Sequence, residues 1–229
     1  MIFLQNVADT APVVNEAVEA AAEPMNLWTM ATYGGWIMII LAAMLALAVY
    51  IFIERFITID RASKEDTSFM DKIKDYVHEG DIDAAMKLCK SKNTPTARMV
   101  EKGLTRIGRP MSDVLVAVEN VGNLEVAKLE KSLVIMASIS SGAPMLGFLG
   151  TVIGMVNTFY GMSQMGDGGI NMEVLSSGMY QAMVTTIGGL IVGILAYFAY
   201  NYLVARVDSV VRQIESYTME FLDLLNEPA

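Results

Sequence analysis

The stretch Leu133–Met162, LVIMASISSGAPMLGFLGTVIGMVNTFYGM, contains no acidic or basic residue. Two similar stretches run from about Gly34 to Ile53 and from Val174 to Ala205. A helix needs about 20 apolar residues to cross a bilayer, and all three stretches reach that length. The second and third exceed it, so they are predicted to continue as helices beyond the lipid. The pattern predicts an all-α integral membrane protein with three transmembrane helices.

The composition supports this prediction. The chain is 54% hydrophobic and 18% charged, whereas soluble domains carry about a quarter charged residues. A soluble all-α core is the alternative, but buried helices of soluble proteins seldom stay uncharged over such lengths. The net charge of −9, with acids and bases mixed in the middle of the chain, argues against a nucleic-acid partner.

The distribution of Lys and Arg predicts the orientation in the membrane. Every basic residue lies either between Arg55 and Lys131 or in the C-terminal tail at Arg206 and Arg212. Basic segments stay on the cytoplasmic side. The predicted order is an outward-facing segment 1–32 that can form an interfacial helix, a transmembrane helix 33–53, a cytoplasmic helical domain 54–132, a transmembrane helix 133–162, an outward loop 163–173, a transmembrane helix 174–205 and a cytoplasmic C-terminal helix 206–229.

The cytoplasmic domain has helix boundaries of its own. Thr67 or Ser68 is predicted to cap a helix that ends at about Glu79, and Asp81 to cap the next helix, Ile82–Ser91. A turn is predicted at Asn93, Thr94 and Pro95, followed by a helix to about Ile107. Ser112 is the predicted cap of the helix after that.

The segment from Asp113 to Tyr160 has no strong helix breaker and is predicted to form one continuous helix, bent at Pro144. At 1.5 Å per residue it would be about 70 Å long, of which the bilayer needs about 30 Å. The third span should likewise continue as a helix to about Leu225. Helices that project so far into the cytoplasm need lateral neighbours, which predicts a homo-oligomer.

Small and polar residues form one side of each later span. In lipid, small residues permit close helix contact. The candidate packing residues are Gly147, Gly150, Gly154, Gly189 and Gly193. The polar residues beside them are Thr151, Thr158, Gln181, Thr185 and Thr186. One interpretation is tight packing, with each hydroxyl bonded to its own backbone. The other is a polar path for water or protons around an oligomer axis, and spacing alone leaves both open.

The membrane parts of the spans contain no Asp, Glu, Lys, Arg or His. Intramembrane acids mark proton relays, so any proton carrier must come from another polypeptide. His78 and Cys89 are the only residues of their types, too few for a metal site or a catalytic triad. We therefore expect neither an enzyme nor a bound cofactor.

Three segments resemble the MotA/TolQ/ExbB family of proton-channel subunits, and ExbB and TolQ most. Gly142–Phe159, GAPMLGFLGTVIGMVNTF, is similar to the family's A-P-x-x-G-x-x-G-T-V-x-G. Gly178–Leu190, GMYQAMVTTIGGL, is similar to its G-x-x-E-A-L-x-x-T-x-x-G-L. Gly80–Cys89, GDIDAAMKLC, with Pro95 and Ala97, resembles its G-D-x-x-x-A-x-x-L-C…P-x-A. Three spans favour the ExbB/TolQ branch over the four-span MotA branch.

The resemblance implies a homopentamer in the bacterial inner membrane, with a periplasmic N-terminus. A single-span ExbD- or TolR-like partner would carry a membrane Asp inside the pore, facing Thr151 and Thr186, which match the family's pore threonines. Proton flow would then do work on a TonB- or TolA-like protein. The TonB type is preferred, with Tol-type envelope maintenance or a gliding motor as alternatives.

One residue departs from the family pattern. Gln181 occupies the position of the family's usual glutamate, and glutamine does not exchange protons. Either this side chain only hydrogen-bonds the partner's acid, or the chain is a non-conducting scaffold for a membrane partner.

Overall fold

The computed structural model describes residues 34–63, 68–92, 94–164 and 172–226. Within these ranges all regular structure is helical and no strand occurs, as predicted. The helices are α1 (Trp36–Ser63), α2 (Ser68–His78), α3 (Ile82–Lys92), α4 (Pro95–Leu104), α5 (Met111–Glu130), α6 (Leu133–Ser163) and α7 (Met172–Asn226). The predicted interfacial helix within 1–32 and the residues around Asp167 lie outside the described part.

In the described part of the chain, three helical segments are long and apolar enough to cross a membrane, which confirms the number predicted. They are α1, the stretch Met111–Ser163 that contains α5 and α6, and α7. Helix α7 runs for 55 residues without interruption, and only about 20 are needed for the bilayer. Large apolar side chains on these segments are exposed, among them Phe148 (67%) and Phe198 (68%). Faces of this kind require lipid or other chains to cover them.

The prediction of one continuous helix from Asp113 to Tyr160 is wrong at one point. Helix α5 ends at Glu130 and α6 begins at Leu133. In an uninterrupted helix the Lys128 carbonyl would accept from the amide of Ser132. Instead Arg55 Nη1 donates to that carbonyl at 2.8 Å, and Arg55 Nη2 donates to Ser132 Oγ at 2.8 Å. A buried side chain from α1 thus competes for the helix's own acceptor.

Several helix starts and ends also differ from the prediction. Helix α5 begins at Met111 with Pro110 at the capping position and no side-chain cap, so Ser112 is not the N-cap. Thr94 caps α4 and Pro95 occupies its first turn, because proline lacks the amide that a first turn leaves unpaired. Helix α4 ends at Leu104. The Asp81 cap is confirmed, since its carboxylate accepts from the amide of Ala84 at 3.0 Å.

The described residues form two compact units. The first contains the start of α1 up to Ala42 together with Pro144–Ile191. The second contains Ala43–Ala143 and the chain from Val192 onward. The three apolar segments contribute residues to both units, so the boundary cuts across helices rather than between them.

The second unit has an apolar core. Helices α2, α3, α4 and α5 contact one another in chain order. Phe221 of α7 is fully buried and packs on Gly103 of α4 and near Val118 of α5. No side chain larger than hydrogen fits at position 103 without displacing that ring. This contact joins the C-terminal part of α7 to the short helices of the same unit.

An ion-pair network lies beside this core. Glu125 is 4% exposed, and its carboxylate accepts from Arg98 Nη2 at 2.6 Å and from Lys128 Nζ at 2.7 Å. Burial alone would raise the pKa of Glu125, but the two hydrogen bonds and the two positive charges together lower it. The carboxylate is therefore ionised and fully engaged.

Candidate functional site

Helices α6 and α7 approach each other closely in the first unit. A Cβ atom on Gly147 would lie 2.9 Å from the Thr185 carbonyl oxygen and 3.0 Å from the Cα of Gly189. A Cβ on Gly154 would lie 3.0 Å from the Cβ of Ala182. Direct backbone contact of this kind is how small residues hold helices together in lipid. With Gly150, whose added Cβ would meet the Thr185 side chain, four of the predicted packing glycines lie in one helix–helix contact.

Two threonine hydroxyls bridge this contact. Thr151 of α6 and Thr186 of α7 hydrogen-bond each other through their Oγ1 atoms. The Gly147 carbonyl lies 3.3 Å from both hydroxyls, and the Ala182 carbonyl lies 3.3 Å from Thr151 Oγ1. Both threonines are half-buried. The pair thus has more acceptors than hydroxyl hydrogens and keeps an accessible side.

The other two predicted threonines are buried. Thr185 is 1% exposed, donates to the Ala182 carbonyl at 2.7 Å and lies against Gly150. Thr158 is 5% exposed and donates to the carbonyl four residues earlier at 2.8 Å, with Gly178 of α7 directly against its hydroxyl. Their surroundings favour the packing interpretation, in which each hydroxyl bonds its own helix.

Gln181 is exposed on α7, and its amide reaches the start of α1. A Cβ on Gly35 would lie 2.8 Å from Gln181 Nε2. Gly35 also has φ +67°, a conformation that favours glycine. Gly35 is not among the residues predicted from the sequence, although the Gly34-Gly35 pair directly before an apolar run is a turn signal.

Helix α1 packs on α7 in the same unit. A Cβ on Gly188 would lie 3.0 Å from Met38 Sδ and 3.6 Å from Leu41 Cδ1. The last predicted packing glycine, Gly193, is buried but belongs to the second unit. Pro144 lies within α6, which continues through it.

The described part of the first unit contains one charged side chain, Glu173 in the first turn of α7. The threonine pair and Gln181 can therefore offer hydrogen bonds but no proton that titrates near neutral pH. Among the described residues, His, Cys, Asp and Glu form no group of three or more that could hold a metal ion.

Comparison with known families fits this arrangement. The sequence profile of the MotA/TolQ/ExbB proton channel family matches residues 91–216, which is more than half of the chain. The chain belongs to this family. The match covers Thr151, Gln181 and Thr186, and it confirms the resemblance that the sequence motifs indicated.

Individual relatives carry ExbB and TolQ names. A biopolymer transport protein ExbB homologue of Methanothermobacter thermautotrophicus is 32% identical over 138 residues, 59% of this chain and 47% of the relative. The Tol-Pal system protein TolQ of Haemophilus influenzae is 30% identical over 107 residues, 47% of this chain and 46% of TolQ. An ExbB-like protein of Synechocystis is 26% identical over 161 residues, 70% of this chain and 77% of the relative. The chain spans about half the length of the first two relatives.

Proposed function

We propose that this chain is the channel-forming stator subunit of a proton-driven motor in the bacterial inner membrane. A single-span ExbD- or TolR-like partner supplies a membrane aspartate, and the pair converts proton flow into work on a TonB- or TolA-like protein. The observation that carries the proposal is the half-buried hydroxyl pair of Thr151 and Thr186, set in spans that lack acidic and basic residues. Family membership supports it.

The threonine pair would act on the partner's carboxylate. Burying an ionised Asp in a membrane costs roughly 3 kcal/mol on insertion scales. A hydrogen bond to a charged group contributes about 1.5–3 kcal/mol. Hydrogen bonds from one or two hydroxyls of this chain can therefore offset the cost of ionising the partner's Asp in the membrane. These hydrogen bonds weaken when the Asp is protonated again. Thr158 and Thr185 serve packing in this proposal.

The assembly and topology are part of the proposal. The exposed apolar side chains on α6 and α7 and the length of α7 support a homo-oligomer, for which the family resemblance implies a pentamer. The basic residues between Arg55 and Lys131 support a cytoplasmic middle block and C-terminus, with the N-terminus in the periplasm. The membrane segments are then 33–53, 133–162 and 174–205.

The decisive test replaces both hydroxyls by methyl groups in Thr151→Val/Thr186→Val, in the complex with its partner. We expect lost proton flux into proteoliposomes and lost energy transduction, with the oligomer intact. The matched control is Ser138→Ala on α6, which removes an exposed hydroxyl that donates to the carbonyl of Val134 in the same helix. Normal flux in the double variant would rule out the proposed path.

A second candidate function is a scaffold that holds a membrane partner without ion flow. Its support is Gln181, an exposed amide where the family pattern has glutamate. Gln181→Ala and Gln181→Glu separate the two functions. If the amide hydrogen-bonds the partner's acid, the alanine variant lowers flux and the glutamate variant changes its pH dependence. If the chain is a scaffold, the wild-type complex shows no proton flux, and the two variants can change only the binding of the partner.

A further inference from the structure

A cavity of about 270 Å³ lies in the second unit beside the Glu125 network. It is lined by the cations Arg61, Arg98 and Lys128, by Glu125, and by the hydroxyl-bearing Thr58 and Thr94. The cavity thus brings together the end of α1, the start of α4 and the end of α5. None of these residues belongs to the threonine pair or to the α6–α7 contact.

The charge balance at this cavity is positive. Among the described residues that line it, three cations and one carboxylate give two positive charges in excess. The side chain of Glu125 is 5% exposed, whereas those of Arg98 and Lys128 are 37% and 68% exposed. Arg98 and Lys128 each donate one hydrogen bond to Glu125, and a guanidinium group has five donors and an ammonium group three.

Two acidic residues of α1, Glu54 and Asp60, form ion pairs with cations that do not line the cavity. Glu54 lies 3.5 Å from Arg55 Nε, and Asp60 lies 3.5 Å from Arg206 Nη2 of α7. The first turn of α4 also contributes, because Pro95 lines the cavity and a helix N-terminus carries a partial positive charge.

The position along the helices places the cavity at the membrane surface. Thr58 follows the last residue of the first uncharged stretch, Ile53, by five positions, and Lys128 precedes the second stretch at Leu133 by five. Five helical residues span about 7 Å. The headgroup layer on each side of the hydrocarbon core is about 5–8 Å thick. Thr58 and Lys128 therefore lie at its depth, and Arg61 lies about one helical turn further from the hydrocarbon core.

We propose that this cavity binds the phosphate group of an anionic membrane lipid, of the phosphatidylglycerol or cardiolipin class. Arg61, Arg98 and Lys128 hold the phosphate oxygens, and Glu125 fixes two of these cations in place. Basic pockets between helices at the cytoplasmic surface suit such headgroups. The inference rests on α1 and α6 crossing the membrane and not on ion conduction, so it stands or falls separately from the threonine pair.

The test uses the full chain in nanodiscs of phosphatidylcholine with and without phosphatidylglycerol, with native mass spectrometry to count retained lipids. Arg61→Gln/Lys128→Gln should lose the retained phosphatidylglycerol, since each surface cation contributes about fivefold in affinity. The matched control, Arg109→Gln/Lys102→Gln, removes the same charge from exposed positions outside the cavity. Equal retention by the double variant and the control would overturn the proposal.

Two further arms keep the test decisive. Arg61→Gln alone leaves the Glu125 ion pairs intact, so a partial loss in this folded variant supports the site, and unchanged retention counts against it. In phosphatidylcholine nanodiscs, inorganic phosphate is compared with chloride at equal ionic strength by thermal unfolding. Stabilisation by inorganic phosphate that depends on Arg61, with no preference for phosphatidylglycerol, overturns the lipid as its source.

Discussion

Arg98 donates to the carboxylate of Glu125 at 2.6 Å and so ties α4 to α5 across 27 residues of chain. Glu125 is buried, and its second oxygen accepts from Lys128. A buried carboxylate without such partners would be strongly destabilising. The pair therefore holds the short helices of the second unit on the long segment that enters the membrane.

Acidification should weaken this unit. The pKa of Glu125 is lowered from its ordinary value of 4.5 because the bonds and charges of Lys128 and Arg98 outweigh burial, which acts in the opposite direction. The network thus contributes stability above the ordinary pKa and loses it as pH falls through the folded value. Glu125→Gln should lower the unfolding free energy by about 1–3 kcal/mol at pH 7.

Thermal unfolding in nanodiscs between pH 7 and pH 3 measures this effect. Glu119→Gln is the matched control, because Glu119 is exposed on the same helix. The difference between the Glu125→Gln variant and wild type should shrink at the acid end. A constant difference over the whole range contradicts the assignment.

The two hydrogen bonds that Arg55 donates, to the Lys128 carbonyl and to Ser132 Oγ, should both contribute to stability. Arg55→Lys keeps the charge but loses the planar fork that reaches the Lys128 carbonyl and Ser132 Oγ together. We expect a loss of about 1–3 kcal/mol in thermal unfolding. Ser132→Ala should cost less, and the two changes should couple by about 0.5–1.5 kcal/mol in a double-mutant cycle. Purely additive effects would mean that Arg55 and Ser132 contribute to stability independently.

The α6–α7 contact should not tolerate a methyl group at its centre. Gly147→Ala places a Cβ 2.9 Å from the Thr185 carbonyl, and the helices must move apart at a cost of about 1–3 kcal/mol. Gly142→Ala is the matched control on α6, where the nearest atom, Met44 Cε, is 3.8 Å away. The readouts are thermal unfolding and proton flux. Equal behaviour of the two variants would contradict the described packing.

Cys89 should be unreactive in the folded protein. Burial, and to a lesser degree the negative charge of Glu101, raise the pKa of its thiol from 9.0 to about 12. Three pKa units lower the thiolate population about a thousandfold at any given pH below both values, and the thiolate is the reactive form. Maleimide at pH 8 should label Cys89 only after unfolding in dodecyl sulfate. Rapid labelling of the native protein would show that the thiol is accessible.

The uncharged stretches and their glycine–threonine spacing were sufficient to predict three apolar helices and a small-residue contact between the last two. Each of these features is a property of local composition and helical periodicity. The family resemblance pointed to Thr151 and Thr186, but residue spacing could not rank them above Thr158 and Thr185, because each helical face is broad enough to carry both of its threonines. The structure separates them by exposure, since only the first pair stays half-buried.

The broken helix after Glu130 was also beyond local reasoning. Nothing between Asp113 and Leu133 breaks a helix, and the side chain that bonds the Lys128 carbonyl at the interruption, Arg55, lies 73 residues earlier in sequence. The same holds for the close approach of Gln181 to Gly35, because the two residues lie 146 positions apart in sequence.

The sequence by itself determined which segments are helical and which are apolar enough for lipid, because both follow from residue type and spacing within one segment. Tertiary structure alone decided which hydroxyls meet, which helix is interrupted, and which cations share one cavity. Those outcomes depend on side chains far apart in sequence competing for the same acceptors and the same space.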